Sequence, residues 1–65
     1  MSIGEDRVRA SFNPNANGMV DVIKMRTAEL IDLCEGLKPK DPRLAALAQT
    51  AYEEAAMWAV KAATT

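Results

Sequence analysis

Two long helical segments separated by a break that carries glycine and proline limit the folds open to this chain. Gly36 and Pro39 stop the first segment, since neither glycine nor a residue before proline favours a continuing helix. Asp41 followed by Pro42 starts the second, because an acidic N-cap with proline at the first helical position is a typical start signal. We therefore predict two helices, over residues 18–37 and 42–63. Helices joined by about four residues must run antiparallel, which gives an all-α hairpin.

Each long segment carries an apolar stripe with helical spacing. In the first segment, steps of three and four residues connect Val20, Ile23, Thr27, Leu30, Cys34 and Leu37. In the second segment, the same steps connect Leu44, Ala48, Ala51, Ala55, Trp58 and Ala62. This spacing places the members of a stripe on one side of a helix. We predict that the two stripes pack against each other and form the core of the hairpin.

The residues before the hairpin, 1–17, predict a short helix followed by a turn. Ser2 and Glu5 form a capping-box pattern, so we expect a helix from about Ile3 to Ser11. Phe12 then leads into the sequence NPNANG, in which proline and asparagine favour extended and turn geometry. Because so short a helix is marginal by itself, it must pack on another part of the molecule.

The length of the chain argues for assembly. With 65 residues it has room for a single domain, 1–65, which buries only about 60% of the surface that the unfolded chain exposes. The one cysteine, Cys34, cannot form a disulfide within the chain, and the lack of histidine excludes a Cys/His zinc site. The second segment is apolar on nearly every side, as in helices buried by several neighbours. We therefore predict a homo-oligomer, with Met57 and Trp58 as interface anchors and with no metal or cofactor.

Charge and composition argue against several functional classes. The formal net charge is −1, so binding to a DNA or RNA polymer is not expected, while a small anionic ligand remains compatible. No stretch approaches the ~20 apolar residues of a membrane span and no signal-peptide pattern is present, so we expect a cytosolic protein without membrane contact. Histidine, a glycine-rich phosphate loop and a nucleophile motif are all absent, so an enzyme is poorly supported.

Several residues are candidates for a binding site, and each also has a simpler structural explanation. Lys24 and Thr27 share one side of the first helix, but a lysine often only lays its stem over apolar residues. Arg26 points about 200° away from Lys24, so both cations reach one ligand only if two chains contribute. Phe12 is more often a hydrophobic anchor than a stacking platform, and asparagines such as Asn13 commonly form turns.

Taken together, these residues resemble a known family. The similarity is carried by the run Phe12-Asn13-Pro14, by VIK and AELID in the first helix, and above all by EEAAMWAVKA at residues 53–62. These segments are similar to the hairpin domain of phage anti-CBASS sponges, a domain that also occurs in anti-Thoeris sponges. The resemblance covers about residues 7–64. It implies a non-catalytic protein that sequesters cyclic oligonucleotide immune second messengers in the cytoplasm of the infected bacterial cell, so that host antiphage effectors are not activated.

The resemblance also implies an assembly and a set of ligands. Members of this family are compact hexamers that bind cyclic dinucleotides in pockets between subunits. Some also hold cyclic trinucleotides at separate sites around a threefold axis, and the anti-Thoeris members hold cyclic ADP-ribose isomers. The ligand class of this chain therefore stays open among these three.

Roles for individual residues follow from the same resemblance. Phe12 matches the aromatic position that stacks on a base, and Asn13 matches the polar neighbour that reads the base or ribose. Lys24 matches a helix lysine that faces phosphate, and Thr27 lies near a phosphate-binding threonine of the family.

Two further cations have a less defined role. Arg26 and Lys61 are assigned by their charge and position to phosphate, or to a second site of the trinucleotide type. A function of another class stays open beside the sponge: a protein-interaction module whose apolar second helix docks on a host protein. That alternative predicts a monomer or dimer in which Trp58 is accessible to solvent.

Overall fold

The structure, a computed structural model, describes Ile3 and residues 18–65. Two helices make up most of this part, α1 over Gly18–Glu35 and α2 over Pro42–Ala63. It contains no strand, so the all-α prediction is confirmed for these residues. Neither helix has the length and apolar character needed to cross a membrane. The predicted short helix and the turn after it lie outside the described residues, apart from Ile3.

The turn between the helices is closed by backbone hydrogen bonds. α1 ends at Glu35, two residues before the predicted end at Leu37. The amide of Leu37 donates to the carbonyl of Cys34 over 3.0 Å. The amides of Lys40 and Asp41 then both donate to the carbonyl of Leu37, each over 3.0 Å. These bonds pair carbonyl groups that the end of a helix would otherwise leave without a partner.

Asp41 caps α2 as the sequence predicts. Its backbone is extended, with φ −155° and ψ 95°, and the amide of Leu44 donates to Asp41 Oδ1 over 2.9 Å. Pro42 lies in the first turn of α2, where backbone amides have no acceptor within the helix, so the lack of an N–H in proline costs no hydrogen bond. The start of α2 is therefore set by local chemistry alone.

We expect Asp41→Ala to lower the free energy of unfolding by about 1 kcal/mol, because the first turn of α2 loses its side-chain acceptor. Chemical denaturation followed by circular dichroism measures this change. Asp41→Asn keeps a side-chain oxygen at the cap, so as the matched control it should retain most of the stability. An alanine variant as stable as the wild type would contradict the capping role.

The helices meet along a narrow packing face of mostly small side chains. On α1 the buried residues are Val20, Thr27, Ala28, Ile31 and Cys34. On α2 they are Ala45, Gln49 and Ala56. Cys34 is a buried free thiol, as expected of a small apolar side chain. The largest fully buried side chains of the described part are Ile31 and Gln49, so the core that one chain builds there is small.

A polar side chain within this core sets the register of the hairpin. Gln49 Nε2 donates to the carbonyl of Ile31 and to Oε1 of Glu35, each over 3.0 Å. Lys38 Nζ reaches the same Glu35 oxygen at 2.8 Å. Because Gln49 is fully buried, a slip of one helix past the other would leave its amide unpaired, at a cost of about 1–3 kcal/mol. The two bonds therefore fix the register of the hairpin, that is, which residues of α1 lie beside which residues of α2.

The stripe predicted for α1 is only partly correct. Three of its members are buried as expected, namely Val20, Thr27 and Cys34. Leu30 and Leu37 are 38% and 54% exposed, and Ile31 is fully buried instead. The packing face of α1 is thus turned away from Leu30 towards Ile31 and Ala28. The cause lies in α2, which meets α1 through Gln49 at the level of Ile31.

The stripe predicted for α2 is wrong as a packing face. None of its members is buried, and its two largest, Leu44 and Trp58, are 61% and 57% exposed. The buried positions Ala45, Gln49 and Ala56 each follow a predicted position by one residue, which is a rotation of about 100°. Because α2 is apolar on nearly every side and its packing face contains a glutamine, apolar spacing does not single out that face.

Candidate ligand-binding site

The predicted binding residues within the described part lie in the half of the hairpin away from the turn. Four of the six are described: Lys24, Arg26, Thr27 and Lys61. Two lie outside the described residues: Phe12 and Asn13. The structure therefore gives the positions of the four described candidates, and their part in a binding site stays a prediction, like that of Phe12 and Asn13.

The hydrogen bond between Gln49 and Ile31 is a common reference point from which the position of each cation along the hairpin can be measured. Lys24 precedes Ile31 by seven residues, which is roughly 10 Å at 1.5 Å per residue. Lys61 follows Gln49 by twelve residues, roughly 18 Å in the same direction because the helices are antiparallel. Both cations thus lie towards the open end, where the N-terminal segment of the chain enters α1.

Thr27 belongs to the packing face of α1. Its side chain is buried, and its hydroxyl donates to the carbonyl of Ile23 over 2.7 Å. A threonine hydroxyl has one hydrogen, so in this arrangement only its lone pairs remain for another group. To donate to a phosphate, the hydroxyl of Thr27 would first have to leave the carbonyl of Ile23.

Lys24 lies at the edge of the same packing face. It follows the buried Val20 by four residues and precedes the buried Thr27 by three, so the three side chains share one side of α1. Lys24 is half-buried and forms no ion pair with another residue of the described part. A lysine at such an edge can lay its stem along apolar surface and keep its ammonium group in water, where an anion can reach it.

Arg26 faces a different direction. It is exposed, and its guanidinium lies 3.4 Å from the carboxylate of Glu29. An exposed pair of this kind contributes about 0.2–1 kcal/mol, so a phosphate could replace Glu29 at little cost. Along α1 its neighbours at four residues either side are the exposed Val22 and Leu30. Arg26 therefore lies among apolar side chains on the outer surface, well away from Lys24.

Lys61 lies in the last turn of α2 and contacts an aromatic ring. Its Nζ atom is 5.4 Å from the centroid of the Trp58 ring, within the range of a cation–π interaction. Both side chains are exposed. The pairing of Lys61 with Trp58 follows from their spacing of three residues, which places both on one side of α2.

The four described residues thus form two groups. Lys24 and Thr27 lie along the packing face, whereas Arg26 and Lys61 lie on outer surfaces beside exposed apolar side chains. Within one chain the two groups do not converge on a single position. A site that used Lys24 together with Arg26 would have to take them from different copies.

An open groove near the turn was not expected from the sequence. Its volume is about 490 Å³, and its lining consists of Leu37, Lys40, Asp41, Leu44, Ala45 and Ala48. Leu37 and Leu44, both predicted to be buried in the hairpin, are instead exposed and line the same groove. The sequence signal for this groove was the placement of Leu37 and Leu44 on either side of a tight turn.

The described residues provide cations and apolar surface at the open end and along the outer sides of the helices. No three His, Cys, Asp or Glu side chains within them lie together as a metal site requires. Such a surface can hold an anion that also carries flat rings, since cations contact phosphate and apolar or aromatic groups contact the rings.

Comparison with known proteins adds one match. A protein-family model described as the Acb2/Tad1 hairpin domain matches residues 3–64, which is nearly the whole chain and includes both helices. No curated protein and no solved structure matches the chain.

Proposed function

The chain belongs to the Acb2/Tad1 hairpin family, as its resemblance to anti-CBASS and anti-Thoeris sponges predicted, and on this premise we propose that it is a non-catalytic sponge. It binds cyclic oligonucleotide immune second messengers and so keeps host antiphage effectors from being activated. It acts in the cytoplasm of the infected bacterial cell. The observation that carries this proposal is the family match over residues 3–64.

The proposed pocket lies between subunits of a homo-oligomer, a hexamer by analogy with the family. A cyclic dinucleotide has two bases and two phosphates related by approximate twofold symmetry. A pocket on a twofold axis presents two copies of Phe12 to the bases and two copies of Lys24 to the phosphates. This arrangement explains why one chain carries only half of a site, with Lys24 available and Arg26 turned away from it.

The expected contacts are strong enough for sequestration. Stacking on an aromatic ring contributes about 1–3 kcal/mol per base, and charge-assisted hydrogen bonds to phosphate are the stronger kind. Asn13 and Thr27 add polar contacts to base, ribose or phosphate. Arg26 and Lys61 hold phosphate at the same pocket or at a second site for cyclic trinucleotides. Tight binding without turnover is sufficient for this function.

A thermal-shift panel tests the proposal. The panel contains cyclic dinucleotides, cyclic trinucleotides and cyclic ADP-ribose isomers. A ligand at 100 times its Kd stabilises the folded state by about 2.7 kcal/mol. In a domain of this size that corresponds to a rise in Tm of roughly 10–20 °C. At least one ligand should produce such a rise.

Two controls accompany the panel. The linear dinucleotide with the same bases should give a much smaller shift, because it lacks the preorganised ring. Chromatography of the released ligand should recover it intact, since a sponge does not turn it over. No shift with any cyclic ligand, or a cleaved product, would refute the proposal.

A second function is favoured by a different observation, the exposure of Trp58 on α2. In this alternative the apolar outer side of α2 docks on a host protein, and the chain is a monomer or dimer. Trp58→Ala should then abolish capture of that partner while the helical content stays unchanged. The two functions are distinguished by the ligand panel, to which a docking module would not respond.

A further inference from the structure

Thr27 is a buried polar side chain that uses only part of its hydrogen-bonding capacity. Its exposed fraction is 9%, and its Oγ1 atom donates to the carbonyl oxygen of Ile23 over 2.7 Å. Among the described residues, no group donates a hydrogen bond to Oγ1 in return. A hydroxyl has one hydrogen to donate and two lone pairs that accept. Thr27 therefore offers a ligand an acceptor, while its one donor is already engaged.

The short distance between the two oxygen atoms fixes the position of this hydrogen. The carbonyl oxygen of Ile23 carries no hydrogen, so the one that lies between the two atoms belongs to Thr27. A separation of 2.7 Å is the usual length of an O–H···O bond. If the hydroxyl turned its hydrogen towards a phosphate, the lone pairs of two oxygens would face each other over this distance and repel. Thr27 can donate to a phosphate only if its whole side chain swings away from Ile23.

Packing holds the side chain of Thr27 in its place. Thr27 belongs to the buried face of α1, with Val20 and Ile31 on the same side of the helix. As a β-branched residue it has few χ1 rotamers in a helix, and in these its hydroxyl bonds a carbonyl of the preceding turn. The bond to Ile23 is nevertheless only part-buried, so it is not sealed off from a ligand. The acceptor is thus held in one direction at the edge of the packing face.

Lys24 stands one turn before Thr27 on the same side of α1. Side chains three residues apart on a helix are neighbours, with Cβ atoms about 5–6 Å apart. Lys24 is half-buried and forms no ion pair within residues 18–65. A phosphate bonds more strongly to a cation than to a neutral hydroxyl, so at this position it goes to Lys24. The group that meets Thr27 must then lie beside that phosphate and carry a hydrogen.

We infer that Thr27 recognises a ribose hydroxyl of the cyclic nucleotide by accepting its hydrogen. In a cyclic dinucleotide with 3′–5′ linkages, the free 2′-hydroxyl is on the carbon next to the one that bears the phosphate. A phosphodiester at neutral pH carries no hydrogen to donate, and the amino groups of a base lie at the far edge of its ring. Lys24 and Thr27 thus contact neighbouring groups of one ligand, the phosphate and the sugar.

This inference rests on the proposed function and narrows the contact of Thr27 from base, ribose or phosphate to ribose. It adds a preference for ribonucleotide over deoxyribonucleotide ligands. A site that hydrogen-bonds a ligand hydroxyl discriminates against an analogue that lacks it. Each such bond corresponds to roughly a 2- to 10-fold change in Kd, and a pocket on a twofold axis contains two of them.

Matched pairs of ligands test the sugar contact by isothermal titration calorimetry. The probes are the 3′–5′-linked cyclic dinucleotides of two adenosines, of two guanosines and of one of each, every one with 2′-hydroxyls or with 2′-fluorine instead. Fluorine fits in the space of a hydroxyl and cannot donate a hydrogen bond. The wild type should bind the hydroxyl form about 10-fold more tightly or better. Thr27→Val keeps the branched shape without the oxygen, and it should reduce this preference to about twofold or less.

Two variants of the same helix serve as controls. Thr27→Ser keeps the hydroxyl and should retain the preference for the hydroxyl form. Lys24→Ala removes a contact to phosphate, so it should weaken the binding of both forms by the same factor. Circular dichroism checks that each variant remains helical. If Thr27→Val does not fold, Thr27→Ala provides a second variant without the hydroxyl, and the preference of the wild type is measured without any substitution.

The outcomes separate the sugar contact from the proposed function. Equal binding of the two forms by the wild type, or an unchanged preference in Thr27→Val, would overturn the inference and leave the sponge. An equal loss for both forms in Thr27→Val would also overturn it, since that result is expected if Thr27 contacts phosphate. A wild type that binds none of the six probes would remove the proposed pocket for cyclic dinucleotides, and the inference with it.

Discussion

Gln49→Ala should lower the free energy of unfolding by roughly 2–4 kcal/mol, because it leaves a cavity and removes one buried and one part-buried hydrogen bond. Gln49 is fully buried, and its amide donates to the carbonyl of Ile31 and to the carboxylate of Glu35, each over 3.0 Å. A domain of this size has a total stability of about 3–10 kcal/mol. The loss therefore amounts to a large part of what keeps the hairpin folded. Urea denaturation at a fixed chain concentration, followed by circular dichroism, measures it.

Gln49→Met is the matched control for this prediction. Methionine has nearly the volume of glutamine and no amide, so it keeps most of the packing and loses only the hydrogen bonds. We expect the free energy of unfolding of this variant to lie between those of the wild type and Gln49→Ala, about 1–2 kcal/mol below the wild type. The loss arises because a hydrogen bond to a neutral carbonyl and one to a carboxylate are removed together. If Gln49→Ala stayed within 0.5 kcal/mol of the wild type, roughly the effect of a neutral surface change, the role assigned to this side chain would be wrong.

Phe12→Ala and Lys24→Ala should each weaken the binding of the ligand identified by the panel by roughly 10- to 100-fold or more. Loss of a base stack costs about 1–3 kcal/mol, and loss of a charge-assisted hydrogen bond costs about 1.5–3 kcal/mol. In a twofold pocket each substitution removes two contacts at once, which raises the effect. Isothermal titration calorimetry measures the affinities, and light scattering should show an unchanged assembled mass.

Lys40→Ala serves as the control for the charge effect. Lys40 is exposed near the turn and forms no ion pair within residues 18–65. Lys40→Ala therefore changes the net charge by the same amount as Lys24→Ala, but at the opposite end of the hairpin. Its affinity should stay within about twofold of the wild type, because exposed charges farther apart than a Debye length of about 8 Å are largely screened. Equal losses for Lys24→Ala and Lys40→Ala would mean that Lys24 acts only through net charge. A loss of assembly in Phe12→Ala or Lys24→Ala would mean that these residues are structural.

The helices and their connection could be predicted because their signals are local. Asp41 caps α2 through a bond to an amide three residues away, and Pro42 suits only the start of a helix. Gly36 and Pro39 end α1 for similar reasons, although α1 stops at Glu35 rather than at Leu37. The error of two residues arises because the amide of Leu37 bonds to the carbonyl of Cys34, three residues back, and so tightens the end of the helix.

The candidate site could be predicted only as far as single residues. The spacing of Lys24, Arg26 and Thr27 on one helix fixes their relative directions, and the structure keeps those directions. Two features required the folded chain: the burial of Thr27 with its bond to Ile23, and the placement of Lys61 over Trp58. The part played by Phe12 rests on family resemblance alone.

By itself, the order of residues determined two helices and a tight reversal between them. Which sides of the helices meet was decided only in three dimensions. α2 is apolar on nearly every side, so its spacing left the choice open, and a glutamine that binds two groups of α1 settled it. That choice turned Leu44 and Trp58 outward, because burying an amide with both its partners is less costly than leaving it unpaired.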